Sequence, residues 1–335
     1  MLQAPARWYQ SRPTISCRAL QVAGVLYGLA VAWARRRGAC LRLSVPVVSV
    51  GNITLGGTGK TPLVIALAQE LQCRGHRVAV LLRGYGGSSR RSCRVEAGHD
   101  AGTVGDEALE YRQQLPDVQV WVGRDRLASG QAAIAAGATL LLLDDGLQHW
   151  RLARDLDITV LDRTHGLGNG LVFPAGPLRE PARQLGRADL LVLTGSGSAA
   201  GPVLPWPVVK PRFLLASWIA PPPGLAQLPL LAFCGIGLPA KFFVALEQAG
   251  LRVLERRSFP DHHPYARQDL DRLQQRASTL RATLVTTVKD WQRLPAGWQE
   301  RVVPLPLVLD PQAASALADE VLERLGQRPG GAADG

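Results

Sequence analysis

The sequence lacks the cysteine pattern of a disulfide framework or a structural zinc site. Five cysteines among 335 residues form an odd set, and no two of them make a C-x-x-C pair. This absence indicates a reducing compartment. Internal repeats are also lacking, while 47% hydrophobic residues supply the apolar side chains of a globular core.

Acidic residues are missing from the first part of the chain. Between Met1 and Gln69 there are seven arginines and one lysine, and the first acidic residue is Glu70. Such a basic region indicates an acidic partner. Nucleic acid is not supported, because the chain has no zinc motif, no recognition-helix pattern and no basic strand interleaved with aromatic residues. An anionic membrane surface explains the charge better, and no obligate protein partner is indicated.

The chain also lacks an apolar run of comfortable membrane-spanning length. The run from Ala19 to Ala34 has 16 residues, a helix of roughly 24 Å against a hydrocarbon core of about 30 Å. It is not a cleaved signal peptide, because three arginines and a catalytic motif follow it rather than a small-residue cleavage site. It is either a core helix or a membrane-associated one. Aromatic residues near arginines favour the membrane: Trp8, Tyr9, Tyr27 and Trp33.

Strand and helix patterns alternate from residue 45 onward, which predicts an α/β fold with a mostly parallel sheet. The composition changes to glycine, serine, alanine and proline near residue 195, and a second set of strands and helices follows. The predicted units are a membrane-associated helical segment at 1–44, a core domain at 45–200, a proline-rich linker or rigid edge at 201–225, a smaller α/β lobe at 226–325 and a disordered tail at 326–335.

The clearest motif of the core domain lies between its first predicted strand and its first predicted helix. It contains Thr54, Leu55, Gly56, Gly57, Thr58, Gly59, Lys60 and Thr61. In such a loop backbone N–H groups and the helix N-terminus hold phosphates, Lys60 reaches the terminal phosphate, and Thr61 ligates Mg²⁺. The common pattern has glycine where this chain has Thr54, so the turn is expected to begin at Gly51-Asn52. The motif predicts a P-loop NTPase-like sheet that binds ATP and Mg²⁺.

A second motif places two carboxylates at the end of a buried strand. Asp144 and Asp145 follow four leucines. Ligands bind beyond the carboxyl ends of parallel strands, and a magnesium ion that bridges phosphates needs such a carboxylate. One of the two aspartates is expected to ligate the metal, and the sequence does not choose between them. The alternative is a pair of solvated turn aspartates.

These motifs occur in a recognisable order with several others. The ordered set is Gly51–Pro62, Arg83–Gly86, Gly105–Glu107, Leu143–His149, Pro174–Glu180, Phe259–His263 and Lys289–Asp290. It resembles the tetraacyldisaccharide 4′-kinase family of lipid A biosynthesis over nearly the whole chain. The resemblance implies ATP and Mg²⁺, a two-lobed α/β fold, an N-terminal helix at the cytoplasmic face of the bacterial inner membrane, and a lipid disaccharide 1-phosphate acceptor that becomes lipid IVA.

The resemblance also implies a catalytic pair of Asp106 and His262. Asp106 would accept the proton of the sugar hydroxyl, and His262 would orient it or adjust its pKa. The sequence alone does not choose between His262 and His263. Asp106 also suits the N-cap of the following helix, which is the structural alternative.

Residues of the acceptor site are less clearly marked. The expected set is Glu107, His149, Asn169, Arg179 and Glu180. His149 could instead cap its turn, and Arg179 and Glu180 could form a structural ion pair. Arg124 and Arg126 either meet the acceptor phosphate or form surface salt bridges. The competing function is a P-loop NTPase that hydrolyses ATP as a switch.

Overall fold

Strands and helices alternate along almost the whole chain in the computed structural model, which describes residues 5–9, 14–36, 40–89, 91–195 and 212–327. They form two α/β lobes with mostly parallel sheets, which confirms the predicted fold class. The N-terminal segment consists of a 3₁₀ turn, Ala6–Tyr9, and helices α1 (Ile15–Ala19) and α2 (Gln21–Arg36).

The larger lobe is built on an eight-stranded sheet. Its strands are β1 (Val47–Gly51), β2 (Val78–Leu82), β3 (Cys93–Arg94), β4 (Gln119–Val122), β5 (Leu140–Asp144), β6 (Leu156–Asp162), β7 (Leu190–Thr194) and β8 (Arg212–Leu215). Their order is β3-β4-β2-β5-β1-β6-β7-β8, and only the β3–β4 pair is antiparallel. The central strands are buried on both faces, which is why they are continuous apolar runs. β5 beside β1 brings the paired aspartates next to the P-loop.

Helices cover the large sheet on both faces. They are α3 (Lys60–Cys73), α4 (Ala101–Val104), α5 (Asp106–Gln114) and α6 (Arg126–Ala135), with a 3₁₀ turn at Ala182–Arg187. The apolar side of α3 packs on the strands through Leu63, Leu67 and Leu71. Because α3 begins directly after the glycine-rich loop, this packing fixes where the loop lies.

The smaller lobe has a four-stranded parallel sheet in the order β11-β10-β12-β13. Its elements are β9 (Ser217–Ile219), a 3₁₀ turn at Leu225–Gln227, β10 (Leu230–Cys234), α7 (Pro239–Gln248), β11 (Val253–Ser258), α8 (Arg267–Leu280), β12 (Thr283–Thr287), α9 (Val288–Trp291), α10 (Ala296–Gln299), β13 (Val302–Leu305) and β14 (Leu307–Leu309). β9 and β14 pair as an antiparallel ribbon. The final helix α11 (Pro311–Gln327) returns to the larger lobe, where Leu317 and Val321 join the core under α3.

The domain boundaries drawn from composition stay predictions. Of the segment 201–225, the part before residue 212 lies outside the described residues, and the remainder includes β8 and β9. The proposed tail at 326–335 begins inside α11, and residues 328–335 also lie outside the described part.

Helix α2 turns large apolar side chains outward. Val22, Leu26 and Trp33 are 70%, 63% and 57% exposed. On the inner side of α2, Gly24 faces the carbonyl oxygen of Val172, which a Cβ atom would approach to 2.8 Å, and the Tyr27 ring packs against Phe173 with 5.8 Å between centroids. Among the described residues no helix is both long enough and apolar enough to cross a membrane. Membrane association of α2 stays a prediction, and the side chains of Arg35–Arg37 lie outside the described part.

Candidate active site

The glycine-rich loop wraps around a buried asparagine. Asn52 donates from Nδ2 to Thr54 O (2.8 Å) and Thr58 Oγ1 (3.1 Å), and its Oδ1 accepts from Lys60 Nζ (3.0 Å). Gly59 has a φ of 80°, and a Cβ there would lie 3.1 Å from Thr194 Oγ1, so glycine is needed. Asn52 thus organises the loop. The sequence predicted only that the turn begins at Gly51-Asn52 and did not predict these hydrogen bonds.

The start of the predicted nucleotide motif is tied to a different segment. Thr54 forms an isolated bridge with Leu178, and Leu55 N donates to Pro177 O at 2.7 Å. The Leu55 N–H is therefore already engaged. Contact of these two residues with ATP stays a prediction, as it does for Gly56, Gly57 and Thr58.

The two aspartates after β5 have different surroundings. Asp145, with φ 51°, lies 3.3 Å from Lys60 Nζ and 2.7 Å from Arg179 Nη1. Burial would raise the pKa of Asp145, but these two cations hold it well below its usual range. Asp144 is 5% exposed, and its Oδ2 accepts from Tyr111 Oη at 3.1 Å. Burial, followed by the charge of Glu107, raises the pKa of Asp144.

A divalent cation fits this part of the site. Asp144 Oδ1 is buried and has no hydrogen-bond partner among the described residues, and an unpartnered buried carboxylate oxygen is a natural cation ligand. Asp145 is occupied by Lys60 and Arg179. Within the described ranges, no group of three His, Cys, Asp or Glu side chains is placed to hold a metal ion.

The second lobe supplies a histidine to the larger lobe. Asp106 is the first residue of α5, Gly105 occupies the cap position, and Asp106 Oδ1 accepts from Glu107 N at 3.0 Å. The N-cap alternative is therefore wrong. His262 Nδ1 lies 3.2 Å from Asp106 Oδ2, whereas His263 Nε2 pairs with Asp269 at 2.9 Å. The structure thus brings His262 and not His263 to Asp106.

Two cations of the smaller lobe accompany this contact. Arg293 Nε lies 3.0 Å from Asp106 Oδ2, and Lys289 Nζ lies 3.0 Å from Glu107 Oε1 and 3.5 Å from His262 Nε2. Burial would raise the pKa of Asp106, but His262, Lys289 and Arg293 lower it. Burial would lower the pKa of Lys289, but Glu107 and Asp106 raise it. Asp106 is therefore held as a carboxylate.

The residues expected to meet the acceptor fall into two groups. His149 Nε2 is buried without a partner among the described residues, and burial, followed by Arg126, lowers its pKa to about 4. Glu107 faces the second lobe. The other three are held by protein contacts: Arg179 by Asp145 (2.7 Å), Glu180 by Gln148 and Arg187 (both 2.9 Å), and Asn169 by Ala175 O and Leu171 N (both 3.1 Å).

The two arginines after β4 also differ. Arg124 is exposed. Arg126 is 4% exposed, and its Nη2 lies 3.5 Å from Asp144 O. Burial lowers the pKa of Arg126 to about 10. The surface salt-bridge alternative is wrong for Arg126, because its side chain is buried beside the carboxylates.

A lysine of α7 reaches the P-loop from the smaller lobe. Lys241 Nζ donates to Gly57 O at 2.8 Å and pairs with Asp162 Oδ2 at 2.7 Å. Asp162 Oδ1 lies 2.8 Å from His165 Nδ1, and the His165 ring contacts the Tyr9 ring at 4.7 Å between centroids. No sequence motif marked Lys241, because its role depends on how the lobes pack.

The sequence was compared with those of known protein families and proteins. The family model for tetraacyldisaccharide-1-P 4′-kinase matches residues 17–326. A tetraacyldisaccharide 4′-kinase of Rhodopseudomonas palustris (strain BisB18) is 42% identical over 339 residues, covering 97% of both chains. Another of Methylobacterium nodulans (strain LMG 21967 / CNCM I-2342 / ORS 2060) is 43% identical over 335 residues, covering 98% of both.

A solved structure agrees with these matches. The "apo" form of LpxK from Aquifex aeolicus in complex with ATP has a TM-score of 0.74 and 28% sequence identity, and covers 93% of this chain and 100% of that chain. The similarity therefore extends through both lobes and confirms the resemblance seen in the motifs. This chain belongs to the tetraacyldisaccharide 4′-kinase family.

Proposed function

We propose that the protein transfers the γ-phosphoryl group of ATP to the 4′-hydroxyl of a tetraacyldisaccharide 1-phosphate, which gives lipid IVA in lipid A biosynthesis. The observation that carries this proposal is the contact between Asp106 and His262, at 3.2 Å, across the two lobes. This arrangement offers a held carboxylate as a base for the acceptor alcohol, as phosphoryl transfer to a hydroxyl requires.

ATP binds with its phosphates in the loop before α3. Lys60, whose Nζ lies 3.3 Å from Asp145 Oδ1, would bind the terminal phosphate. Thr61 and Asp144 would hold Mg²⁺, which supplies positive charge against the phosphate oxygens. The backbone N–H groups from Gly56 to Gly59 and the N-terminus of α3 add fixed positive potential.

The base acts through Asp106 Oδ2. Asp106 Oδ1 is engaged by Glu107 N, while Oδ2 lies 3.2 Å from His262 Nδ1 and 3.0 Å from Arg293 Nε. Oδ2 accepts the proton of the 4′-hydroxyl while the hydroxyl oxygen forms the new bond to the γ-phosphorus. The bond from that phosphorus to the β–γ bridging oxygen breaks, and ADP leaves. His262 orients the carboxylate.

The acceptor approaches from the side of the N-terminal helix. Exposed apolar residues of α2 provide a surface for acyl chains or lipid at the cytoplasmic face of the inner membrane. Glu107 and His149 are the candidates for direct contact with the acceptor. His149 Nε2 has no hydrogen-bond partner among the described residues, and Glu107 lies at the contact between the lobes, 3.0 Å from Lys289. Asn169, Arg179 and Glu180 act by shaping the loops around the site.

The test is ATP turnover with and without a detergent-dispersed tetraacyldisaccharide 1-phosphate. The expected product is heavier than the acceptor by one phosphate, and ADP forms in equal amount only when the acceptor is present. Turnover that is independent of the acceptor, with no phosphorylated lipid, would refute the kinase and favour the switch.

A further inference from the structure

An arginine of the smaller lobe touches the carboxylate that the mechanism uses as a base. Arg293 lies two residues beyond α9, and its side chain is 9% exposed. Its Nε atom lies 3.0 Å from Asp106 Oδ2 on the other lobe. An arginine in this place was not marked by any sequence motif, because only the packing of the lobes brings it there.

The same guanidinium holds the loop that carries His262. Its Nη1 donates to Gly235 O and His263 O, both at 3.3 Å, and its Nη2 lies 3.2 Å from Asp290 Oδ1. Gly235 O also accepts from His262 N at 3.1 Å. Such use of several donors in fixed directions needs the planar fork of arginine.

The backbone of this loop is under constraint. His262 has a φ of 59°, in the left-handed region that non-glycine residues seldom adopt. Conformations of this kind persist where surrounding contacts determine them, and they are frequent at active sites. The carbonyl groups of Gly235 and His263, both bound by Arg293, are such contacts.

We propose that Arg293 is a positioning residue for phosphoryl transfer, in which one guanidinium fixes both the Asp106 carboxylate and the loop of His262. This inference rests on the proposed function, because it assigns Arg293 to the same reaction centre. Arg293 acts through the base and its partner and takes no proton itself, since arginine stays charged in proteins.

The electrostatic consequence follows from the groups around Asp106. The titratable groups near Asp106 come from three segments: Glu107 and Glu110 of α5, Asp261 and His262 of the loop, and Lys289 and Arg293 beyond β12. The Tyr85 ring packs against the His262 ring. Burial raises the pKa of Asp106, and His262, Lys289 and Arg293 lower it. Removal of Arg293 therefore raises the pKa of Asp106, so that the carboxylate is protonated at a higher pH and the acidic limb of the kcat profile moves upward.

The experiment compares three variants of the full chain. Arg293→Gln removes the charge, and Arg293→Lys keeps the charge without the fork. Arg257→Gln is the matched control, because Arg257 is an exposed arginine of the same lobe that pairs with Glu255. For each protein kcat, KM and the pH profile are measured with the dispersed disaccharide, together with ATP affinity and thermal unfolding.

The expected result separates positioning from mere support of the fold. Arg293→Gln lowers kcat about 100-fold, at the lower end of the contribution of general-base catalysis, with ATP affinity unchanged and the acidic limb moved upward. Arg293→Lys keeps the acidic limb of the wild type but recovers only part of kcat, because one ammonium group cannot reach the carbonyls and the carboxylate together. Arg257→Gln behaves as the wild type.

Three outcomes overturn the inference. One is an Arg293→Gln enzyme with the kcat and acidic limb of Arg257→Gln. Another is a lowered kcat with an unmoved acidic limb, which a purely structural role would give. If Arg293→Gln does not fold, Arg293→Lys decides, and a wild-type kcat in that variant overturns the proposal. A wild-type protein that does not phosphorylate the disaccharide refutes the proposed function instead.

Discussion

Replacement of Asp106 by asparagine keeps the shape of the side chain and removes its capacity to accept a proton. The amide cannot act as a base, so the expected loss in kcat is the contribution of general-base catalysis, about 10²–10⁴-fold, or roughly 3–5 kcal/mol of barrier. ATP affinity is expected to stay near that of the wild type, because Asp106 lies beside His262 and Arg293, and the P-loop lysine is paired with Asp145.

The structure also bounds the effect of this change on stability. The nearly buried Arg293 loses one of its two carboxylate neighbours but keeps Asp290 at 3.2 Å. The expected loss in the free energy of unfolding is therefore about 1–3 kcal/mol, the cost of one weakened buried polar contact, and not the larger cost of a fully unpaired buried charge.

The assay follows phosphate transfer from labelled ATP to the dispersed disaccharide, with ATP affinity from calorimetry and stability from thermal unfolding. Asp100→Asn is the matched control, because Asp100 is an exposed aspartate of the same lobe that caps α4. A folded Asp106→Asn enzyme with kcat within about tenfold of the control would refute the base assignment. Lost ATP binding with normal turnover at saturation would make Asp106 a nucleotide or metal ligand instead.

Three further predictions concern other parts of the molecule. Lys60→Ala is expected to reduce kcat by about 10²–10³-fold or more, as for other groups that stabilise transition-state charge; near-normal turnover in a folded variant would contradict the P-loop assignment. Lys241→Ala is expected to weaken ATP binding more than it changes kcat, because the lysine holds Gly57 O at 2.8 Å, and calorimetry with Lys241→Arg as the conservative comparison checks this. Deletion of residues 1–38 is expected to move the protein from the membrane fraction to the soluble one while ATP binding survives, as fractionation and calorimetry would show; an insoluble product without ATP binding would show that α2 belongs to the core.

Local patterns predicted the class of the fold. Alternating strand and helix patterns from residue 45 onward indicated an α/β fold with mostly parallel sheets, and the structure has them. The helix Arg126–Ala135 has a weaker sequence signal, although Asp125 caps it by accepting from Leu127 N and Ala128 N. Its many small residues give a weak periodic signal.

The last helix shows the limit of composition as a guide to domains. Residues of α11 follow the smaller lobe in sequence and were assigned to it. Their apolar side contacts α3 of the larger lobe, and Arg74 on that side pairs with Asp319 at 2.8 Å. Amphipathic spacing shows that a helix buries one face, but it does not identify the surface that covers that face.

The sequence by itself determined the features that depend on neighbouring residues: the P-loop between a strand and a helix, the aspartates at the end of β5, and the α/β class. Tertiary structure alone decided which histidine meets Asp106, which carboxylate keeps an unpartnered oxygen, and that Arg293 and Lys241 reach across to the larger lobe. The physical reason is that these contacts join residues far apart in the chain, so their distances depend on how the two lobes pack and not on any local preference of the backbone.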